Sequence, residues 1–122
     1  MMKASLGRRV LVAEDEAMES LMIEALLIES GCIVVGPAGS TKEALALLER
    51  ETVDCAVLDI KLVDGPSLPV AETLAARGIP FVVTTGYDAK AIHPAYNGAP
   101  VLTKVFLPEE LIEAIAGLRP IS

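Results

Sequence analysis

Apolar and polar positions fall into short blocks along the chain. Arg9 to Ala13 (RVLVA) is a brief apolar run that stops at an acidic triplet, Glu14-Asp15-Glu16. A run of this length bounded by polar residues reads as a strand buried on both faces. From Ala17 to Ser30 the spacing becomes helical and gathers Met18, Leu21, Met22, Ala25 and Ile28 on one face, with Met18 and Met22 expected to pack in the core. Gly31 suits the position just past that helix, where a left-handed backbone is cheap only for glycine. Ile33 to Val35 is a second predicted strand, closed by Gly36-Pro37.

Ser40 and Glu43 form a Ser-x-x-Glu capping box, and the helix they open carries Ala44, Leu45, Leu47 and Leu48 to about Glu51. Cys55 to Leu58 is a third strand, ending at Asp59 and followed by an Asp64-Gly65-Pro66 loop. Pro69 fits the first turn of a third helix that would bury Val70, Leu74 and Ala75 and stop at Gly78. Phe81 to Thr85 is the fourth strand. Gly86, Pro94, Gly98 and Pro100 leave room for only a turn or two of helix around residues 88 to 92. Val101 to Thr103 is a short fifth strand. Pro108 opens a last helix with Leu111, Ile112 and Ile115 on one face and Glu109 and Glu110 in the first turn, and Pro120 stops it.

Strands alternating with helices and joined right-handedly give an α/β domain with a parallel sheet covered on both faces. Five such units suit a flavodoxin-like doubly wound sheet of order 2-1-3-4-5, an order that leans on the family resemblance given below. The 122 residues allow one domain, expected over residues 9–119 behind a flexible tail of residues 1–8. A 52% hydrophobic content with 3% aromatic residues makes the core aliphatic. The net charge of −7 argues against nucleic acid as a partner, because phosphate binding needs clustered Lys and Arg. Cys32 and Cys55 open strands that are not neighbours in this order, so a reduced, cytoplasmic protein is expected rather than a disulfide. No run approaches the ~20 apolar residues of a membrane span, and the N-terminus lacks a signal-like apolar segment.

The polar residues at the ends of the strands then acquire meaning. Strands 1, 3, 4 and 5 end in Glu14 and Asp15, Asp59, Thr84 and Thr85, and Lys104. In the proposed order these converge on the crevice where open α/β sheets bind ligands. Like charges ~4 Å apart repel by roughly 4 kcal/mol at an effective dielectric near 20, so close carboxylates need neutralising. Lys104 supplies one positive charge, and an all-oxygen cluster suits Mg²⁺. A carboxylate beside Mg²⁺, an ammonium and a hydroxyl amounts to a phosphoryl-acceptor site with Asp59 attacking in line. Each residue also has a structural alternative: helix-terminal charge for Asp15 and Glu16, a loop-initiating role for Asp59, a backbone-bonded hydroxyl for Thr85, a surface lysine for Lys104.

With VLVAEDE, AVLDIKL, PFVVTTGY and VLTKVF in order, the chain resembles a response-regulator receiver domain over essentially its whole length. The resemblance implies that Asp59 is the phosphorylated residue, accepting its group from a sensor histidine kinase or a histidine phosphotransfer protein. It implies that Glu14 and Asp15, with Asp59 and the backbone carbonyl of Lys61, hold Mg²⁺, and that Lys104 binds a phosphoryl oxygen. Thr85 would be the switch hydroxyl, with Thr84 pointing to the other face of the strand. The TGY after strand 4 and SLPVAETL opening helix 3 are similar to stand-alone receivers of stress signalling, so no output domain is expected. The expected roles are switch, shuttle or phosphate sink, with slow self-dephosphorylation at most as turnover. A downstream protein would bind the face of helix 4, strand 5 and helix 5, and phosphorylation would order the weak helix 4.

Three residues depart from the family pattern. Val105 stands where a proline usually follows the lysine; a trans Lys104–Val105 bond is expected, since a cis non-proline bond costs ~2.5–4 kcal/mol, and with it slower phosphorylation. Val101 replaces the usual switch aromatic, leaving Tyr87 as a possible substitute. Val63 replaces a proline after Asp59 and is expected to loosen that loop. His93, the only histidine, reads as a solvent residue before Pro94, and Glu16 as a helix-terminal charge. The rival to a working receiver is a pseudo-receiver that binds partners through an inert site. A flavin site is disfavoured, because acidic residues after strand 1 would repel phosphate.

Overall fold

The computed structural model describes residues 7–86, 94–96 and 98–120. The main strands are β1 (Arg9–Ala13), β2 (Ile33–Ala38), β3 (Cys55–Asp59), β6 (Phe81–Thr85) and β7 (Val101–Thr103), and a small hairpin is made by β4 (Lys61–Leu62) and β5 (Gly65–Pro66). The helices are α1 (Ala17–Glu29), α2 (Thr41–Arg50), α3 (Leu68–Ala76) and α4 (Pro108–Ala116). The main strands pair in parallel in the order β2-β1-β3-β6-β7, which is the expected 2-1-3-4-5 once the hairpin is set aside.

Alternate residues of the central strands feed two aliphatic cores. Leu11, Ala56, Leu58 and Val83 pack on one face with Ala44 and Leu47 of α2 and Val70 and Leu74 of α3. Val10, Val12, Val57 and Val82 pack on the other with Ile23 and Leu27 of α1 and Leu111 and Ile115 of α4. Burial on both sides explains why these strands read as unbroken apolar runs rather than alternating ones. Both cysteines are buried and form no disulfide, and β1 lies between β2 and β3 in the sheet.

Helix α1 presents the opposite face from the one its spacing suggests. Its buried stripe is Ser20, Ile23 and Leu27, while Met18 is 74% exposed and Leu21 and Ile28 are also exposed. AMESLMIEALLIE is apolar on two arcs, so a 3.6-residue period fits either; packing on Val10, Val12 and Val57 decides between them. Met22 is half-buried against the same core, so of the two methionines only it packs there.

Smaller differences follow from local geometry. β2 continues through Gly36-Pro37 to Ala38, with a register irregularity opposite Leu11 and Ala13; a proline is tolerated because β2 is an edge strand. Gly36 has φ +104°, and a Cβ there would meet the Ala38 nitrogen at 3.0 Å and the Val12 carbonyl at 3.1 Å. Gly31 takes φ +87° past α1 as expected. In α3 the third buried residue is Ala71, with Ala75 only half-buried. The Ser40 hydroxyl caps Glu43 N, whereas the Glu43 carboxylate reaches Gly39 N, one residue before the cap. Near the N-terminus, Gly7 N donates to Gly31 O and the Arg8 guanidinium to the carbonyls of Ile115 and Leu118.

The loop after Asp59 is held at several points rather than loosened by Val63. Lys61–Leu62 and Gly65–Pro66 pair as a hairpin, and Val63 N donates to Gly39 O. The Asp64 carboxylate accepts from Thr41 N at 2.7 Å and Lys42 N at 3.1 Å, capping α2 and holding its own pKa below the usual carboxylate value. Tyr87, the turn expected at residues 88 to 92 and His93 lie outside the described residues.

Candidate functional site

Strand β1 delivers Glu14 at its end, and the main chain then turns into α1, whose first turn is capped by the Glu16 carboxylate accepting from Glu19 N at 2.9 Å. The Glu16 side chain is thus occupied with the helix terminus, as its position suggested. Glu14 is almost fully enclosed, and its Oε2 accepts from Glu16 N at 3.0 Å. β3 ends on Asp59, also buried, whose Oδ1 accepts from Lys61 N at 3.2 Å. Asp15 lies exposed at the mouth.

Lys104 follows β7. Its backbone N–H donates to Thr85 O at 2.8 Å, fixing it beside the end of β6. Its Nζ then meets three carboxylates: Asp59 Oδ2 at 2.7 Å, Glu19 Oε2 at 2.8 Å and Glu14 Oε1 at 3.2 Å. The Glu14 and Glu19 oxygens lie within ion-pair distance but off the angles of a hydrogen bond, so Asp59 holds the directed one. The Lys104–Val105 peptide is cis, contrary to the trans bond expected from peptide energetics alone. The contacts on either side account for it: Lys104 is bound inward to Thr85 O and Asp59, Val105 is 96% exposed, and Phe106 returns to the core.

Burial disfavours charge, and for Glu14 it is the largest influence: its pKa is raised from 4.5 to about 7, with a bond from Glu16 N opposing and the neighbouring Asp59 adding to the rise. For Lys104 burial works to lower the pKa, but the bond to Asp59, the close Glu19 carboxylate and the charges of Asp59 and Glu14 outweigh it, and the ammonium is held charged.

Carboxylate oxygens of Glu14, Asp15 and Asp59 all lie within 4.8 Å of one another. Three hard oxygen donors, one of them a buried Glu14 oxygen without a hydrogen bond, fit a small divalent cation such as Mg²⁺. Thr84 and Thr85 are both buried. Thr84 is the register partner of Asp59, and its hydroxyl has no hydrogen-bond partner, whereas Thr85 aligns with Thr103 and shares its sheet face with Val83 and Val101. Val101 packs against the α2–α3 core.

Two residues escaped the sequence reading. Glu19 lies far from Lys104 in sequence, and its one signal was a fourth carboxylate just past the acidic triplet. Tyr96 is buried, with its hydroxyl 3.1 Å from Ser67 Oγ, and Ser67 Oγ donates to Ile60 O at 3.0 Å, directly after Asp59. An aromatic in a stretch rich in Gly and Pro gave no hint of this.

Residues 10–116 match the response regulator receiver domain family. The chain belongs to that family. As a receiver domain in two-component signalling it is 34% identical over 116 residues to the transcriptional regulatory protein PdtaR of Mycobacterium tuberculosis, covering 92% of this chain and 57% of that protein. The receiver thus spans little more than half the length of this curated relative. Among solved structures, SdrG from Sphingomonas melonis Fr1 superposes with a TM-score of 0.78 at 36% identity, over 92% of this chain and 95% of that one. The response regulator PhyR from Brucella abortus gives 0.79 at 30% identity, over 93% of this chain and 49% of PhyR. A receiver protein from Sinorhizobium medicae WSM419 gives 0.80 at 28% identity, over 90% and 92% of the two chains. Among the described residues no helix is long and apolar enough to cross a membrane.

Proposed function

We propose that this receiver accepts a phosphoryl group on Asp59 from a phosphohistidine of a sensor kinase or phosphotransfer protein. The observation that carries the proposal is the 2.7 Å bond from Lys104 Nζ to Asp59 Oδ2, beside the carboxylates of Glu14 and Asp15. An Asp59 oxygen forms the new bond to phosphorus as the phosphorus–nitrogen bond of the donor breaks. The electron pair leaves with the imidazole, whose other nitrogen keeps its proton. Lys104 turns from the carboxylate to the phosphoryl oxygens, whose charge it offsets. Mg²⁺, held by Glu14, Asp15, Asp59 and the Lys61 carbonyl, would supply further charge neutralisation at those oxygens. Thr85 is the switch hydroxyl in this scheme, with Val101 on its sheet face and Thr84 on the other.

The pseudo-receiver alternative drew on Val105. The ammonium reaches Asp59 without a proline after it, and this supports a competent site over an inert one. Exposed Met18, with Met22, Glu19, Val105 and Phe106, lines a groove of about 340 Å³ next to Lys104, suited to an apolar donor helix. With no span in the described residues and two buried cysteines that form no disulfide, we place the protein in the cytoplasm, with no membrane or nucleic acid as direct partner and a downstream protein on the face formed by the segment before β7, β7 itself and α4.

Incubation with Mg²⁺ and acetyl phosphate, followed by intact mass, should add one phosphoryl group to the protein and none to Asp59→Asn. Loading of the Asn variant, or none of the wild type, would refute the assignment.

A further inference from the structure

We infer that Glu19 restrains phosphoryl transfer to Asp59 by occupying the Lys104 ammonium, so that this receiver carries a built-in brake on its own loading. The inference rests on Asp59 being the phosphoacceptor.

An ammonium has three N–H groups and no more. In this site Nζ lies within ion-pair distance of three carboxylates, hydrogen-bonded to Asp59 at 2.7 Å, with Glu19 at 2.8 Å and Glu14 at 3.2 Å. Asp59 is the group to be phosphorylated, and Glu14 belongs with Asp15 and Asp59 to the set of oxygens that fits a cation. Glu19 stands outside that set. Its side chain is largely enclosed, and among the described residues its one ion pair is with Lys104. The helix cap does not need this carboxylate either, since it is the backbone N–H of residue 19 that meets Glu16.

The consequence is electrostatic. Phosphoryl transfer concentrates charge on oxygens that Lys104 must serve, and stabilisation of that charge is what speeds the reaction. A carboxylate 2.8 Å from Nζ offsets part of the ammonium's field and adds like charge near the incoming group. With acetyl phosphate the step balances without a proton: an Asp59 oxygen bonds to phosphorus, the bond from phosphorus to the acetyl oxygen breaks, and acetate leaves with the electron pair. Glu19 touches none of these atoms. It is a positioning residue that acts through Lys104.

The test compares wild type with Glu19→Gln and Glu19→Met. Both remove the charge at similar volume; only Gln can still accept from Nζ. Loading by acetyl phosphate and Mg²⁺ should become about tenfold faster in both, a factor equivalent to about 1.4 kcal/mol of transition-state stabilisation. The midpoint of a fluoroberyllate and Mg²⁺ titration, read from amide NMR shifts, should fall by a similar factor, which a change in packing alone would not produce. Melting temperatures check that the variants are folded. Wild-type loading with unchanged or slower loading in both variants overturns the brake and leaves the Asp59 assignment intact. Loading of none of the three proteins overturns that assignment and the brake with it.

Discussion

Glu14 offers the sharpest test of the site's electrostatics, because it is a carboxylate enclosed at the end of a buried strand. Its pKa is raised from 4.5 to about 7, chiefly by burial. A tenfold change in proton affinity corresponds to about 1.36 kcal/mol, so the charged form is disfavoured in the native state by about 3 kcal/mol. The sign follows from which state holds the proton. Below pH 4.5 both native and unfolded chains are protonated at this residue, and the group costs nothing. Between pH 4.5 and 7 the unfolded chain releases its proton while the native one keeps it, so stability falls as pH rises. Above pH 7 the full penalty is present. Glu14→Gln keeps the volume and an oxygen for Glu16 N, and removes the penalty. In chelator, urea unfolding should give equal stabilities for variant and wild type near pH 4, with the variant ahead by up to about 3 kcal/mol at pH 8. Added Mg²⁺ should recover stability at pH 8 for the wild type and much less for the variant, because the ion replaces the missing positive charge. A variant that is less stable at pH 8, or a difference that does not change with pH, would refute the argument that burial dominates over the 3.2 Å contact with Lys104.

The two arcs of α1 should respond very differently to truncation: Ile23→Ala, at a fully buried position, should cost about 2–5 kcal/mol, and Leu21→Ala, on the exposed arc, within about 0.5 kcal/mol by the same denaturation assay. A larger cost at Leu21 than at Ile23 would return the buried face to the arc first expected. Tyr96→Phe should cost about 1 kcal/mol, since Ser67 Oγ keeps its bond to Ile60 O but loses its partner at the hydroxyl. A cost near zero would mean that the Tyr96 hydroxyl contributes nothing to the packing around Ile60.

How far the sequence could be read depended on whether a residue's role was set by near neighbours or by distant ones. β1, β6 and β7 have the bounds expected, because an apolar run between polar stops is a local signal. The convergence of Glu14, Asp59 and Lys104 was legible for the same reason: strand ends in a known order share one rim. The face of α1 was not, since its sequence is apolar on both arcs and only docking against Val10 and Val57 breaks the tie. The Lys104–Val105 bond was misjudged because the expectation weighed the peptide alone, while the outcome is set by Thr85 O, Asp59 and the pocket around Phe106. Asp64 looked like a turn residue, and its second role as the cap of α2 depends on a hairpin too short for any periodicity to reveal.

These separate features share one physical origin. Glu14, Glu19 and Asp59 surround a single ammonium, so that above pH 7, where Glu14 has lost its proton, three carboxylates face one positive charge in an enclosed space at a cost to stability. Here that cost is carried by aliphatic cores on both faces of the sheet, which fix the strand ends regardless of what the rim would prefer. Under the proposed function, this excess negative charge gives the rim its affinity for a divalent cation, and the cation set and Lys104 together make Asp59 approachable by a phosphoryl group. Under that function, neutralising a carboxylate has a different consequence at each position: at Asp59 the acceptor is lost, at Glu14 a cation ligand is lost, and at Glu19 a restraint on Lys104 is lifted. The same change in charge, made at three places around one nitrogen, separates acceptor, ligand and brake.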